Sequence, residues 1–462
     1  MSEFLELSGL SAFVGVSDGA QQALNVAVET AVVGVAEEQR TALAEGMAPR
    51  AVTVCEDETF HPGICLVAIE PVSNFILLEH YAADRTAATW TAALEDVCTG
   101  LAVEVIQSTA DEAKALRRHA ETDLGAHHSP DLFHGHHEVS KATALALARA
   151  VDRAEVRVLA AQAQWEAERA AQQAFEACVP RPLGRPPAFE TRIAAALSAL
   201  VAAQAERDRA RARQTEAREL IRELGVLYHP YDPQTGHVQP VERVAARFTE
   251  VWLRLKRLAE AAELPERARE RIIKAERLTV QWLATLAFFF ATVTARVEAL
   301  ELSPELEAAV LEQLIPAIYL ERVAARSTAA ETRNRVQASS TALLDALRRP
   351  DHPLQRLAPE ASAHVEQVAG ACADLFQCSS SCVEGRNGQL SLHHHGRHRL
   401  SDRKLAALTG VHNFHIRRAD GTTAAERFFG RTHRALRAAP PARALAAATA
   451  TPPATPPRNC PI

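Results

Sequence analysis

Aromatic residues are scarce in this 462-residue chain, where Phe, Trp and Tyr together make up 5%. Ala and Leu dominate instead, and both enter helices at little cost in free energy. The composition therefore predicts a largely helical protein. The hydrophobic fraction of 47% is ordinary for a soluble chain, and the length allows a sizeable core divided over two or three domains.

The chain also lacks the marks of a secreted or membrane protein. Eight cysteines in 462 residues do not make a disulfide framework. The first residues, MSEFLELSGLSAF, have neither the positive start nor the long apolar run of a signal peptide. The most apolar run, at 278–293, contains Gln281, is short for a membrane span and is typical of a buried helix. We expect a cytoplasmic protein that does not enter a membrane.

No excess of positive charge runs through the whole chain. Its 51 Lys and Arg against 57 Asp and Glu give a formal net charge of −6, which excludes a global attraction to nucleic acid. A local excess does exist, because residues 384–437 hold eleven Lys and Arg but four Asp and Glu. Any contact with nucleic acid is therefore expected there.

Strand patterns are concentrated in the first third of the chain. Short apolar or β-branched runs between turn residues predict strands at 51–60, 63–71, 74–81 and 101–108. Helical patterns follow the third and the fourth run, and a short fifth strand is predicted within SPDLFHGHHEV. The order β-β-β-α-β-α-β predicts an α/β domain with a mixed sheet at 51–141, after an N-terminal helical segment at 1–50.

The middle of the chain has helical periodicity almost throughout, interrupted by the Pro- and Gly-rich stretches VPRPLGRPP and YHPYDPQTGHVQP. Six helical patterns are predicted, at 138–178, 188–224, 240–263, 265–300, 304–348 and 360–377. They predict an all-helical insertion at 142–377. Residues 378–438 follow as a segment with basic helices, and the low-complexity tail at 439–462 is expected to be disordered.

Candidate catalytic acids stand at the ends of predicted elements. CEDETF places Glu56, Asp57 and Glu58 at the end of the first strand, and strand alternation alone leaves the choice among them open. Asp111 follows the fourth strand, and Glu384 lies in the first turns of a predicted helix. In a ribonuclease H-like sheet, acids at these three places meet at one edge and hold two Mg²⁺ ions through their oxygens. Solvated loop charges are the alternative.

Three blocks of the sequence carry a family resemblance: DETFHPGICLVAIEPVSNFILLE, STADEAKALRRHAETDLGAHHSPDLFHGHHEVSKA and SSSCVEGRNGQLSLHHHGRHRLSDRKLAALTGVHNFHIRRADGTTAAERFF. They resemble bacterial insertion-sequence transposases of the D-D-E type, and the last block is similar to a C-terminal domain of unknown function found in such proteins. The resemblance covers roughly residues 50–150 and 370–430.

The resemblance implies a ribonuclease H-like mixed sheet interrupted by the helical insertion. It implies DNA transposition, with metal-dependent hydrolysis and strand transfer at transposon ends, by a homo-oligomer in the bacterial nucleoid. The implied cofactor is a pair of Mg²⁺ ions, with Mn²⁺ as a substitute. Carried over by motif, the catalytic and metal-binding acids are Asp57 in DETF, Asp111 in STADEA and Glu384 in VEGRNG.

Residues near the third acid are the predicted DNA contacts: Arg386, Asn387, Arg397 and Arg399. Arginine makes strong charge-assisted contacts with phosphate, which give affinity without reading sequence. Transposases of this kind usually carry an N-terminal unit that recognises the transposon ends. The roughly 50 residues before the first strand contain no basic recognition helix, so little sequence discrimination is expected.

Other hypotheses remain open at this stage. A zinc site is one hypothesis, suggested by Cys378, Cys382 and the histidines at 393–395, although their spacing matches no standard pattern. LAALTGVHNFHIRR has some features of a helix-turn-helix, but a basic helix is the commoner interpretation. The whole chain could also be a catalytically inactive or truncated transposase-derived DNA-binding protein, or a helical scaffold without a nucleic-acid role.

Overall fold

The structure is a computed structural model that describes residues 17–60, 63–180, 185–377, 380–396 and 400–434. They form two compact units. The α/β unit takes in the described residues within Met1–Asp131 and Ser379–Ile462, and the helical unit takes in those within Leu132–Cys378. The sequence places the first border at 142. In the structure it lies earlier, because a long helix begins directly after the last strand.

The α/β unit contains the predicted succession of strands and helices. Its strands are β1 (Arg50–Phe60), β2 (Ile64–Glu70), β3 (Phe75–Ala82), β4 (Val103–Ala110) and β5 (His127–Pro130). Its helices are α1 (Asp18–Ala44), α2 (Ala87–Cys98), α3 (Lys114–Arg118), α13 (Ser381–Gly396), α14 (Asp402–Phe414) and α15 (Ala424–Phe429). A π-helical turn, His119–Asp123, continues α3.

The strands form one mixed sheet in the order β3-β2-β1-β4-β5. β1 is antiparallel to β2, as β2 is to β3, whereas β1 is parallel to β4 and β4 to β5. The predicted mixed sheet is confirmed. The short fifth strand predicted within SPDLFHGHHEV exists but lies earlier than expected: β5 shares Ser129 and Pro130 with that stretch, and the chain is helical from Leu132. Leu132 and Val139 are both buried and lie seven residues apart, a helical spacing.

The two faces of the sheet pack on different helices. One face contacts α2 and α3 through Leu66, Ala68, Trp90, Leu94 and Leu116. The other contacts α13 and α14 through Cys55, Val67, Val383, Leu390 and Leu405. Because side chains alternate along a strand, successive residues of β1 face opposite sides of the sheet.

The helical unit is built from nine α-helices, counted over the described part of 132–378. They are α4 (Leu132–Ala177), α5 (Phe189–Leu227), α6 (Val241–Ala261), α7 (Glu266–Arg277), α8 (Thr279–Glu298), α9 (Pro304–Ala309), α10 (Ile315–Arg326), α11 (Ala330–Leu347) and α12 (Pro359–Ala373). The strand-like pairing found among those residues is an isolated bridge between Tyr231 and Val238. The predicted helical character of this region is confirmed, although the patterns at 265–300 and 304–348 are each divided between successive helices.

One stretch of the helical unit is long and apolar enough to cross a membrane by length and composition. It runs over Glu266–Glu298, with a mean hydropathy of 1.6 in its most apolar window. Core helices of soluble proteins meet the same two criteria. Within this stretch Trp282, Leu286, Phe289 and Val293 are buried in the helical unit.

Candidate metal site at the carboxyl ends of the parallel strands

Three aspartates lie at or near the carboxyl ends of the three neighbouring parallel strands of the α/β unit: Asp57 near the end of β1, Asp111 directly after β4 and Asp131 directly after β5. Cys55 of β1 lies opposite Thr109 of β4, and Thr109 lies opposite Ser129 of β5. Two residues further along each strand, the same register reaches Asp57, Asp111 and Asp131. The backbone N–H of Asp131 continues the ladder, because it donates to the carbonyl oxygen of Ala110 at 2.9 Å. The three aspartates therefore stand at one level of the sheet.

Alternation along β1 places Glu56 and Glu58 on the face that packs on α2 and α3. Glu56 is fully buried, accepts a hydrogen bond from Ser108 Oγ, and lies 3.2 Å from His119 Nε2. Glu58 Oε1 lies 3.5 Å from Trp90 Nε1. Burial raises the pKa of the Glu58 carboxyl, and the Trp90 contact opposes that rise. Both glutamates are thus engaged on the face away from α13.

Asp57 points to the other face, towards α13. Its Oδ2 accepts a hydrogen bond from Asn387 Nδ2 at 2.9 Å. Asp57 is partly buried and lies within β1, opposite Val67 of β2. Of the three consecutive acids that the sequence leaves open, Asp57 is therefore the one that α13 contacts.

Asp131 is not among the predicted site residues, yet it lies beside Glu384. It is 1% exposed, and its Oδ2 accepts hydrogen bonds from the backbone N–H of Ser380, at 3.1 Å, and from the Ser380 hydroxyl. A carboxylate oxygen of Asp131 and one of Glu384 lie within 4.8 Å of each other. The signal in the sequence is that Asp131 follows β5 directly, as Asp111 follows β4.

Asp111 stands between the other two strand ends. Its Oδ1 accepts a hydrogen bond from the backbone N–H of Ala113 at 2.8 Å. The Asp111 charge adds to the rise in the pKa of the Glu58 carboxyl that burial causes. Asp57, Asp111 and Glu384 are all described, and they do not form a group whose ligand atoms all lie within 4.8 Å of one another. Their joint binding of metal stays a prediction.

Arg386 is buried and paired rather than directed at solvent. Its Nε donates to Glu79 Oε1 at 2.7 Å and its Nη2 to Glu79 Oε2 at 2.6 Å. The side chains are 6% exposed for Arg386 and 0% for Glu79. Thr409 Oγ1 of α14 donates to the same carboxylate. The predicted DNA contact through Arg386 therefore conflicts with the arrangement in the structure, where a carboxylate already occupies the guanidinium.

Besides its apolar contacts, helix α13 directs three polar side chains near its N-terminus at the sheet. Glu384 approaches Asp131, Asn387 binds Asp57 of β1, and Arg386 binds Glu79 of β3. Asp57 lies opposite Val67 of β2, which lies opposite Glu79, so the row of acids extends across the sheet. Glu384 and Asn387 are three residues apart and share a helix face.

The donor set fits a hard divalent cation. Asp57, Asp111, Asp131 and Glu384 all offer carboxylate oxygens, which Mg²⁺ and Mn²⁺ prefer. Asn387 Oδ1 is buried at this place and has no hydrogen-bond partner among the described residues. Like-charged carboxylates at neighbouring strand ends repel one another, so a cation among them stabilises the ionised set.

Two alternatives raised by the sequence are corrected by the structure. Cys378 lies outside the described residues, while Cys382 and His393 lie eleven positions apart on α13, about 16 Å along the helix axis. They are too far apart to share a zinc ion. The helix-turn-helix is also wrong, because Gly410 lies inside the continuous helix α14, where it packs against Ala36 and Val32 of α1.

The remaining predicted DNA contacts, Arg397 and Arg399, lie outside the described residues. Several described basic residues of the same region bond within the fold. Arg403 and Lys404 pair with Glu29 of α1. Arg427 donates to the backbone oxygen of Ser73 at 2.8 Å.

Comparison with known families gives one match. Residues 310–439 match the model described as Family of unknown function (DUF6399). The match covers less than a third of the chain and includes Glu384, Arg386 and Asn387. A search of curated proteins found no match. The family description names no activity, so function has to be argued from the site.

Proposed function

We propose that this chain is a D-D-E transposase that cuts and joins DNA strands at transposon ends with the help of divalent metal. The observation that carries the proposal is the set of aspartates near the carboxyl end of β1 and directly after β4 and β5, together with Glu384 on α13. The strand order and directions of the sheet support a ribonuclease H-like fold for the α/β unit. The position of the helical unit in the chain, between the second acid and the third, supports it as well.

The carboxylates would hold Mg²⁺ or Mn²⁺, which supplies Lewis-acid stabilisation of the charge that develops on a reacting phosphodiester. The chain itself holds the acids on rigid elements. Asp57, Asp111 and Asp131 are fixed by the strand register, and Glu384 by its helix. Hydrogen bonds from Asn387 and Ser380 orient the Asp57 and Asp131 carboxylates. Preorganised ligands of this kind need little rearrangement when the substrate arrives.

The proposed partners are DNA, as transposon ends and target, and further copies of the chain on that DNA. Arg397 and Arg399 remain the predicted phosphate contacts, within the basic excess of residues 384–437. Contacts of this type give affinity that falls steeply with salt and differs little between sequences.

A strand-nicking assay tests the proposed activity. The full chain is incubated with supercoiled plasmid and Mg²⁺ or Mn²⁺, and the variants Asp57→Asn, Asp111→Asn and Glu384→Gln are compared with the wild type. We expect the wild type to nick the plasmid only when metal is present. Each variant should lower the nicking rate by more than the roughly 10–100-fold loss that is typical of an outer-shell change.

The matched control is Glu58→Gln. It neutralises an acid next to Asp57 that lies on the opposite face of the sheet, against Trp90. We expect it to nick like the wild type. If the folded wild-type chain binds DNA but nicks it with neither metal, the enzyme proposal is contradicted and a transposase-derived DNA-binding protein is favoured.

A further inference from the structure

The ion pair between Arg386 and Glu79 is unusual because both side chains are almost fully buried. Charged side chains are rarely this buried, because desolvating them costs free energy that good geometry must offset. Here the geometry is bidentate, at 2.7 and 2.6 Å, and the Thr409 hydroxyl adds a third donor to the Glu79 carboxylate. Such pairs contribute little net stability compared with apolar residues of similar volume, so stability alone does not explain this one.

The place of the pair on α13 points to a different role. Arg386 is two residues after Glu384 and directly precedes Asn387, which binds Asp57. Glu79 lies on β3, at the opposite edge of the sheet from β5. The pair therefore fixes α13 to the sheet at a point distant from Asp131, and it limits both rotation and sliding of the helix over the strand ends.

We propose that Arg386 is a positioning residue, which holds α13 through Glu79 so that the Glu384 carboxylate is set against the aspartates of the strand ends. The inference rests on the proposed function for its catalytic meaning, but the geometry that it predicts does not need DNA. It also assigns Arg386 a role other than phosphate contact.

The decisive variant replaces both charges by apolar residues of similar size, Glu79→Leu with Arg386→Met. Because buried ion pairs replaced in this way are often no less stable, we expect a melting temperature close to that of the wild type. We expect the amides of α13 to exchange hydrogen at least about tenfold faster in the metal-free protein, since the helix has lost its anchor. This readout holds whether or not the chain cleaves DNA.

Kinetics and DNA binding separate positioning from contact. A positioning role predicts that nicking by the double variant falls in kcat by about 10²-fold, the effect of a displacement of about 1 Å, with KM for DNA unchanged. It also predicts an unchanged salt dependence of DNA binding. A phosphate contact by Arg386 predicts instead weaker binding to every duplex and a salt slope reduced by about one.

Two milder variants cover the case in which the double variant fails to fold. Arg386→Lys keeps the charge but loses the planar, bidentate geometry, and Thr409→Val removes the third donor. Both variants should show faster hydrogen exchange of the α13 amides and a lower kcat than the wild type. The variant that loses more of the hydrogen bonds to Glu79 should show the larger change. Wild-type exchange and kcat in a folded double variant, or in both milder variants, would overturn the proposal. Absence of nicking by the wild type would reject the proposed function. The hydrogen-exchange data would still test whether Arg386 positions α13.

Discussion

At the level of single residues, the alternation of β1 gives three adjacent acids two different environments. Glu56 and Glu58 face α2 and α3, where Ser108, His119 and Trp90 engage them. Asp57 faces α13. Because both glutamates lie on the face of the sheet away from α13 and Glu384, Asp57 is the candidate ligand among the three.

Asp131 is the residue whose role can be tested most simply. If it is a ligand of the metal site, Asp131→Asn should weaken Mg²⁺ or Mn²⁺ binding by more than the roughly 10–100-fold loss that follows an outer-shell change, because one of the carboxylates around the cation is lost. The measurement is the rise in melting temperature with metal concentration, which reports the affinity of the folded state.

Ser380→Ala is the matched variant for Asp131. It removes only the hydroxyl that donates to the Asp131 carboxylate. If Asp131 serves merely to bind the start of α13, both substitutions lower the melting temperature of the metal-free protein and neither changes the metal-induced rise. That outcome would remove Asp131 from the site.

The sequence indicates most of the candidate acids but not Asp131, and not the partners of the acids. Asp111, Glu384 and the acids at 56–58 stand out because they lie near the ends of elements with clear periodicity. Arg386 has no such signal, since its partner Glu79 is 307 positions earlier and nothing local separates a buried arginine from a solvated one. Long-range pairing of this kind depends on how α13 packs on the sheet.

At the level of elements, α13 and α14 use glycine in opposite ways. Gly388 of α13 has nothing within 4 Å of the position where a Cβ would stand. Gly410 of α14 packs closely on α1, where a Cβ would lie 3.1 Å from Ala36 Cβ and 3.4 Å from Val32 Cγ1. The first glycine costs helix stability without a packing reason, and the second permits a close helix crossing.

Substitutions at the two glycines should therefore shift stability in opposite directions. Gly388→Ala is expected to stabilise the protein by about 0.5–1 kcal/mol through helix propensity. Gly410→Leu is expected to destabilise it by about 1–3 kcal/mol, because the added atoms overpack the crossing with α1. Denaturant unfolding of both variants and the wild type measures the two changes. A Gly410→Leu protein as stable as the wild type would show that α14 and α1 do not pack in this way.

The elements that sequence periodicity predicts poorly are those where local residues favour no single structure. HGHHE lies in the first turns of the 46-residue helix α4, although most of its residues are not strong helix formers. Gly410 suggests a turn in isolation, yet tertiary packing keeps it helical. Strands β1 to β4 and the long helices, by contrast, are evident from period alone.

At the scale of the whole molecule, the chain leaves the sheet at Asp131 and returns to it at Ser380, and these two residues are hydrogen-bonded to each other. A large helical unit can therefore stand between the second and third acids without disturbing the sheet. The composition predicts that the insertion is helical. It does not predict the contact between Asp131 and Ser380, which lie on either side of the insertion and are 249 positions apart.

The central claim is that the acids at the carboxyl ends of the parallel strands, with Glu384, form a divalent metal site. Calorimetric titration of Mn²⁺ into the full wild-type chain, Asp57→Asn and Glu58→Gln tests it most directly. The account predicts binding of two Mn²⁺ ions by the wild type and by Glu58→Gln, and an affinity at least about tenfold lower in Asp57→Asn. The same Mn²⁺ affinity in the wild type and in Asp57→Asn, or no binding by a folded wild-type chain, would contradict it.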